Sequence, residues 1–223
     1  PALFACLWSA KPYYQPHALM SASPVVWQRA VTALLQFCTG YMVYDALVNI
    51  LWLKLFARPN GSLSLEDFLF LGHHFATAFY MTATRIVQAG HNSAMMCMFL
   101  GEFTNPLQNS HLVSTAALLL DCCNGTRMQN FHRIIEFWFA LFYVILRAFI
   151  CPTVAVHMTW DLWTKGRSIA KLSSGLIFIW TLLIWGVLIG SIPWIITCWG
   201  MLDEYKPDWL VGKSAGELSS AEL

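Results

Sequence analysis

The chain has 223 residues, 57% of them hydrophobic and only 11% charged, with a formal net charge of +1. Soluble domains carry roughly 25% charged residues, so this is the composition of a membrane protein. A sequence pI near 8.0 gives no basic field for nucleic acid, and no arginine-rich segment supplies one locally.

The chain opens at Pro1 without an initiator Met, as expected of a fragment or a trimmed product. "PALFACLWSA" is too short to span a bilayer, and residues 1–24 read as an N-terminal remnant or interfacial segment. Crossing the hydrocarbon takes roughly 20 apolar residues as a helix, and four runs of that kind stand out. Val25 to Phe56 is stopped by "ARPNGS". Leu65 to Gln88 follows Ser64, a predicted N-cap, with Glu66 and Asp67 in its first turn, and ends before Gly90. Phe131 to Cys151 is expected to stop at Pro152, and Leu172 to Trp199 precedes a polar tail. Two shorter runs, Asn92 to Asn105 and Leu107 to Cys123, lie on either side of Pro106 and are expected to be tilted, kinked or re-entrant.

These runs predict an all-α, multi-pass bundle of about six transmembrane helices. The transmembrane domain covers residues 25–200, and residues 201–223 form a polar C-terminal tail. Between Pro152 and Lys171 the mixture of aromatics with Lys165, Arg167 and Lys171 reads as an interfacial segment. The seven cysteines lie mostly in apolar runs without CxxC spacing, as small buried hydrophobes do. The glycosylation triplets at Asn60 and Asn124 would fall on opposite faces of such a bundle, so at most one is usable.

Ionisable groups at membrane depth are costly and face a bundle interior, a cavity or each other. Tyr41, Asp45 and Asn49 follow i, i+4, i+8 on one helical face; His73, Thr77, Tyr80 and Thr84 form a stripe along the next span. His74 points about 100° away from His73, so the two rings address different directions. Glu102, Glu136 and Arg147 add further charges, and an arginine in such a place needs a carboxylate or carbonyls. Two readings stay open for these groups: interhelical hydrogen bonds that hold the bundle together, or a functional site. Two adjacent imidazoles in "FLFLGHHFATAFYM" exceed what packing requires.

Metal chemistry does not fit the pair. A di-iron hydroxylase needs HxxxH and HxxHH clusters that are absent, and zinc would need a second ligand set from His91, His111 or Glu102 without recognisable spacing. No metal or cofactor is therefore expected. A GxSxG elbow is missing, and no inverted repeat supports a transporter.

The string "HHFAT", an HHxxT pattern, resembles the histidine motif of the TLC domain family, which includes the ceramide synthases. "GYMVYDALV" before it, "LGEFTNPLQN" after it, and the late helix "FALFYVILRAFICP" agree with that likeness over Arg29 to about Trp199. The resemblance implies a helix bundle around an internal cavity, often in the endoplasmic reticulum, that handles membrane lipids. By motif, His73 and His74 would be the catalytic histidines of a ceramide-synthase-type enzyme, with acyl-CoA as co-substrate. Asp45 and Glu102 would be the orienting carboxylates, and Tyr41, Asn49, Thr77, Tyr80 and Arg147 would line the lipid cavity.

One departure separates this chain from the synthases. Where they carry paired aspartates, "MFLGEFTNPLQN" has the single carboxylate Glu102, which is closer to small TLC proteins. The resemblance therefore implies a role in lipid homeostasis (sensing, trafficking or membrane composition), with an acyl-CoA-dependent lipid N-acyltransferase as the alternative.

Overall fold

The structure is a computed structural model that describes residues 1–10, 15–52, 63–120 and 125–204. The turn at Pro59 to Gly61, the triplets at Asn60 and Asn124, and the tail from residue 205 lie outside the described residues. Among the described residues the architecture is all helical, without strands. These described residues form, in order, the α-helices α1 (Ala2–Ser9), α2 (Val25–Trp52), α3 (Leu65–Val87), α4 (His91–Glu102), α5 (Asn105–Leu118), α6 (Thr126–Val144), α7 (Cys151–Asp161), α8 (Ser174–Gly190) and α9 (Ile192–Glu204).

Among the described residues three helical runs are long and apolar enough to cross a membrane: Val25–Trp52, Thr126–Gly166 and Ser174–Glu204. The sequence predicts about six such spans, and physical lengths account for part of the difference. With 12 and 14 residues, α4 and α5 reach only about 18 and 21 Å at 1.5 Å per residue, short of the roughly 30 Å hydrocarbon core. The 23 residues of α3 are long enough, but Glu66, Asp67, His73, His74 and Arg85 dilute its apolar character.

Pro152 does not end its helix. The run Thr126–Gly166 continues through it because residues Ile145–Ile150 form a π-helical turn immediately before the proline. The wider i→i+5 winding absorbs both the missing N–H and the crowding of the ring against the preceding turn. A second π turn, Leu162–Gly166, closes α7. The stretch from Pro152 is thus largely regular helix, with Ala155, Met158, Asp161 and Leu162 buried.

The chain divides into two units, residues 1–103 with 150–191 and residues 104–149 with 192–223. In the first, α2, α3, α4, α7 and α8 enclose a core that includes Val31, Leu35, Met42, Met81, Met95, Met158, Ile177 and Trp180. The helix α1 packs on α2 and α4, and Trp27 Nε1 donates to the Cys6 carbonyl at 3.2 Å. In the second unit α5 and α9 pack on α6, around Phe139, Ala140, Tyr143, Val144 and Cys198. Of the cysteines described, Cys38, Cys151 and Cys198 are buried and Cys6 and Cys97 half-buried, all as free thiols.

The start of α3 follows the predicted cap. Ser64 Oγ accepts from the Asp67 N–H at 3.3 Å, while the Ser64 N–H donates to Asp67 Oδ2 at 2.6 Å, a reciprocal capping box. Its end is a tight corner in which Gln88 (φ 53°) and Gly90 (φ 76°) take left-handed conformations. A Cβ at Gly90 would lie 2.7 Å from the Trp180 ring, so close packing as well as backbone angle selects glycine there. The N-terminal segment is laced to this corner, with Met20 N–H donating to the Gln88 carbonyl at 2.8 Å and Gly90 N–H to the Ala18 carbonyl at 3.3 Å.

Candidate functional site

The HHxxT motif sits at the middle of α3, against α2. His74 is buried at 6% exposure, and His73 is half-buried, as expected when adjacent helical positions diverge. The two rings are 5.6 Å apart and nearly perpendicular, at 83°.

Both nitrogens of His74 are engaged. Nδ1 lies 2.9 Å from the Phe70 carbonyl oxygen, one turn back on α3, and Nε2 lies 2.8 Å from Asp45 Oδ2 on α2. A carbonyl only accepts, so Nδ1 carries a proton and donates. One further hydrogen occupies the short contact between Nε2 and the carboxyl group, on either the ring or Asp45. The Phe70 ring covers the imidazole with centroids 4.0 Å apart. Asn49, one turn further along α2, donates to the Asp45 carbonyl at 2.9 Å and approaches Asp45 Oδ1 at 3.4 Å.

The remaining residues singled out in the sequence take several different places. Tyr41 shares the α2 face of Asp45 but is 44% exposed. The Thr77 hydroxyl donates to the His73 carbonyl at 2.8 Å within its own helix. Tyr80 is buried and meets Ser93 at 2.6 Å; Ser93 gives its proton to the Gly90 carbonyl, so Tyr80 is the donor. Trp180 packs edge-on against the Tyr80 ring. Glu102 is the half-buried last residue of α4. Arg147 belongs to the second unit, on its π turn, with the guanidinium carbon 5.6 Å above the Tyr143 ring. Asp45, expected to orient an imidazole, is in hydrogen-bond contact with His74.

Residues 2–202 match the family model of the TLC domain. The chain belongs to the TLC domain family. None of the curated proteins compared matches this TLC chain, and neither does any solved structure compared. With its apolar helices, the match makes the chain an integral membrane protein of that family.

Reading the sequence missed a second carboxylate–imidazole pair in the first unit of this TLC domain. Asp161 Oδ2 accepts from the His17 backbone N–H at 2.9 Å and lies 2.7 Å from His17 Nδ1. Both side chains are nearly inaccessible, and Lys165 Nζ stands 3.6 Å from the other Asp161 oxygen. A single aspartate in the apolar string "HMTWDLW" was the available signal, but nothing local names its partner 144 residues away.

Proposed function

We propose that this TLC protein serves lipid homeostasis, by lipid sensing, trafficking or setting membrane composition, rather than acyl transfer. Membrane lipids are its partners, the endoplasmic reticulum is its site, and the working form is a bundle of about six helices around an internal cavity. The observation that carries the reading is the double engagement of His74, with Phe70 on one nitrogen and Asp45 on the other. A general base needs a nitrogen lone pair at the reacting proton, and an acylated imidazole needs one at the thioester carbon. With both positions committed to α2 and α3, His74 is suited to holding the two helices together.

The acyl-CoA-dependent N-acyltransferase reading draws support from the same pair. A carboxylate against one imidazole, with a second ring edge-on beside it, is an arrangement that can position His73 to take the amine proton. In that reading the amine nitrogen bonds to the thioester carbonyl carbon, the carbon–sulfur bond breaks, and coenzyme A leaves as the thiol.

Lipid mass spectrometry on membranes expressing wild type, His73→Ala or His74→Ala at matched abundance separates the readings, together with acyl-CoA transfer by the purified proteins. The proposed role predicts changed lipid composition without an N-acylated product from the purified chain. Formation of such a product by wild type, and its loss in His73→Ala, would establish the enzyme instead.

A further inference from the structure

The second unit holds a cluster that the family motif does not include. His111 on α5 and His132 and Glu136 on α6 each offer one ligand atom, all within 4.8 Å of one another. His132 and Glu136 are i, i+4 neighbours with Nε2 and Oε2 3.8 Å apart, and the His111 ring stacks on His132 with centroids 5.1 Å apart. We propose that His111, His132 and Glu136 form a binding site for a divalent transition-metal ion of the zinc class, with its fourth position open.

The hydrogen bonds around the cluster place a hydrogen on His132 Nδ1. Ser114 has one hydroxyl proton, which it donates to the His111 carbonyl at 2.8 Å, and its oxygen also lies 2.9 Å from His132 Nδ1. Both bonds form together only if Nδ1 carries the hydrogen and Ser114 accepts it. That leaves Nε2, 3.8 Å from Glu136 Oε2, as the nitrogen that a cation shared with the carboxylate would engage when the ring is neutral.

His111 supplies a separate observation. Its Nδ1 is buried and makes no hydrogen bond, while its ring is sandwiched between His132 and Phe139, whose centroid is 5.7 Å away. A buried ring nitrogen costs free energy unless something binds it, and a metal ion would do so. Two imidazoles and one carboxylate match the ligand set of three-ligand zinc sites, with Ser114 holding a ligating ring through its remote nitrogen. Tetrahedral bonds of about 2.1 Å place ligand atoms about 3.4 Å apart.

The test uses the full chain in detergent micelles, loaded with zinc, dialysed into zinc-free buffer and assayed for metal by mass spectrometry. Wild type should retain about one zinc per chain. His111→Gln and Glu136→Gln should lose it, and Ser114→Ala should weaken binding roughly 10- to 100-fold. His157→Ala, which removes an exposed histidine outside the cluster, should retain the metal. Cobalt loaded into wild type, where folding of a variant is not at issue, should show the visible spectrum of a tetrahedral nitrogen–oxygen site without a thiolate charge-transfer band. Metal-free wild type, unchanged binding in both ligand variants, or a cobalt–thiolate band would overturn the proposal.

Discussion

Asp45 and His74 meet at 2.8 Å between α2 and α3, and the same imidazole is tied to the Phe70 carbonyl on its other side. His74 is therefore a cross-brace whose loss leaves a carboxylate without its partner. His74→Phe and Asp45→Asn should each lower stability in detergent by about 1–3 kcal/mol. The lower half of that range applies to Asp45→Asn, since the Asp45 side chain is 30% exposed and the amide still hydrogen-bonds. Thermal melting of the two single variants and the double variant checks this: the pair is coupled if the double variant loses clearly less than the sum. Additive losses would mean that the contact contributes nothing of its own.

The His17–Asp161 pair is more deeply buried, and Asp161 Oδ2 accepts both a backbone and a ring hydrogen from His17. Asp161→Ala should destabilise by about 3–5 kcal/mol, because two donors are stranded away from water. Asp161→Asn keeps one acceptor oxygen and should cost less. Chymotrypsin susceptibility of the N-terminal segment reads the same event locally, and a segment no more cleavable in Asp161→Ala than in wild type would remove its anchoring role.

At Gly90 two penalties coincide, the left-handed φ of 76° and the 2.7 Å approach to Trp180. Gly90→Ala should destabilise by at least about 1–2 kcal/mol from the backbone alone. Trp180→Phe in the same chain should recover the steric part but not the conformational part. Full recovery would show that the φ angle carries no cost.

Arg147 rests over the Tyr143 ring at 5.6 Å. Arg147→Leu should lower the melting midpoint by the equivalent of roughly 0.5–2 kcal/mol, with Arg147→Lys milder. An unchanged midpoint for Arg147→Leu in detergent would refute a structural role for the guanidinium.

What the sequence disclosed and what it hid divide along physical lines. The start of α3 was legible because a capping box is a local contact, made by Ser64 and Asp67 three residues apart. The divergence of His73 and His74 was legible because helical geometry sets it. Asp45 stood among the candidate partners because a carboxyl group at membrane depth calls for one. By contrast, Pro152 predicts a stop, since proline ordinarily ends a helix; the π turn at Ile145–Ile150 that lets the helix continue leaves no composition signal. His111, His132 and Glu136 come together from two helices, so no contiguous ligand motif announces them. His17 and Asp161 were hidden for the same reason at longer range.

That separation of 144 residues also sets an order of assembly. A chain synthesised from its N-terminus, at about 5–20 residues per second, makes His17 roughly 7–30 s before Asp161 exists to receive it. The segment around His17 is consequently made early and fastened late. Until α7 arrives, the Ala18–Met20 strand-like lacing to the end of α3 must retain the N-terminal segment without its buried anchor. Chains truncated before Asp161 would keep that lacing but leave the His17 segment without its buried anchor.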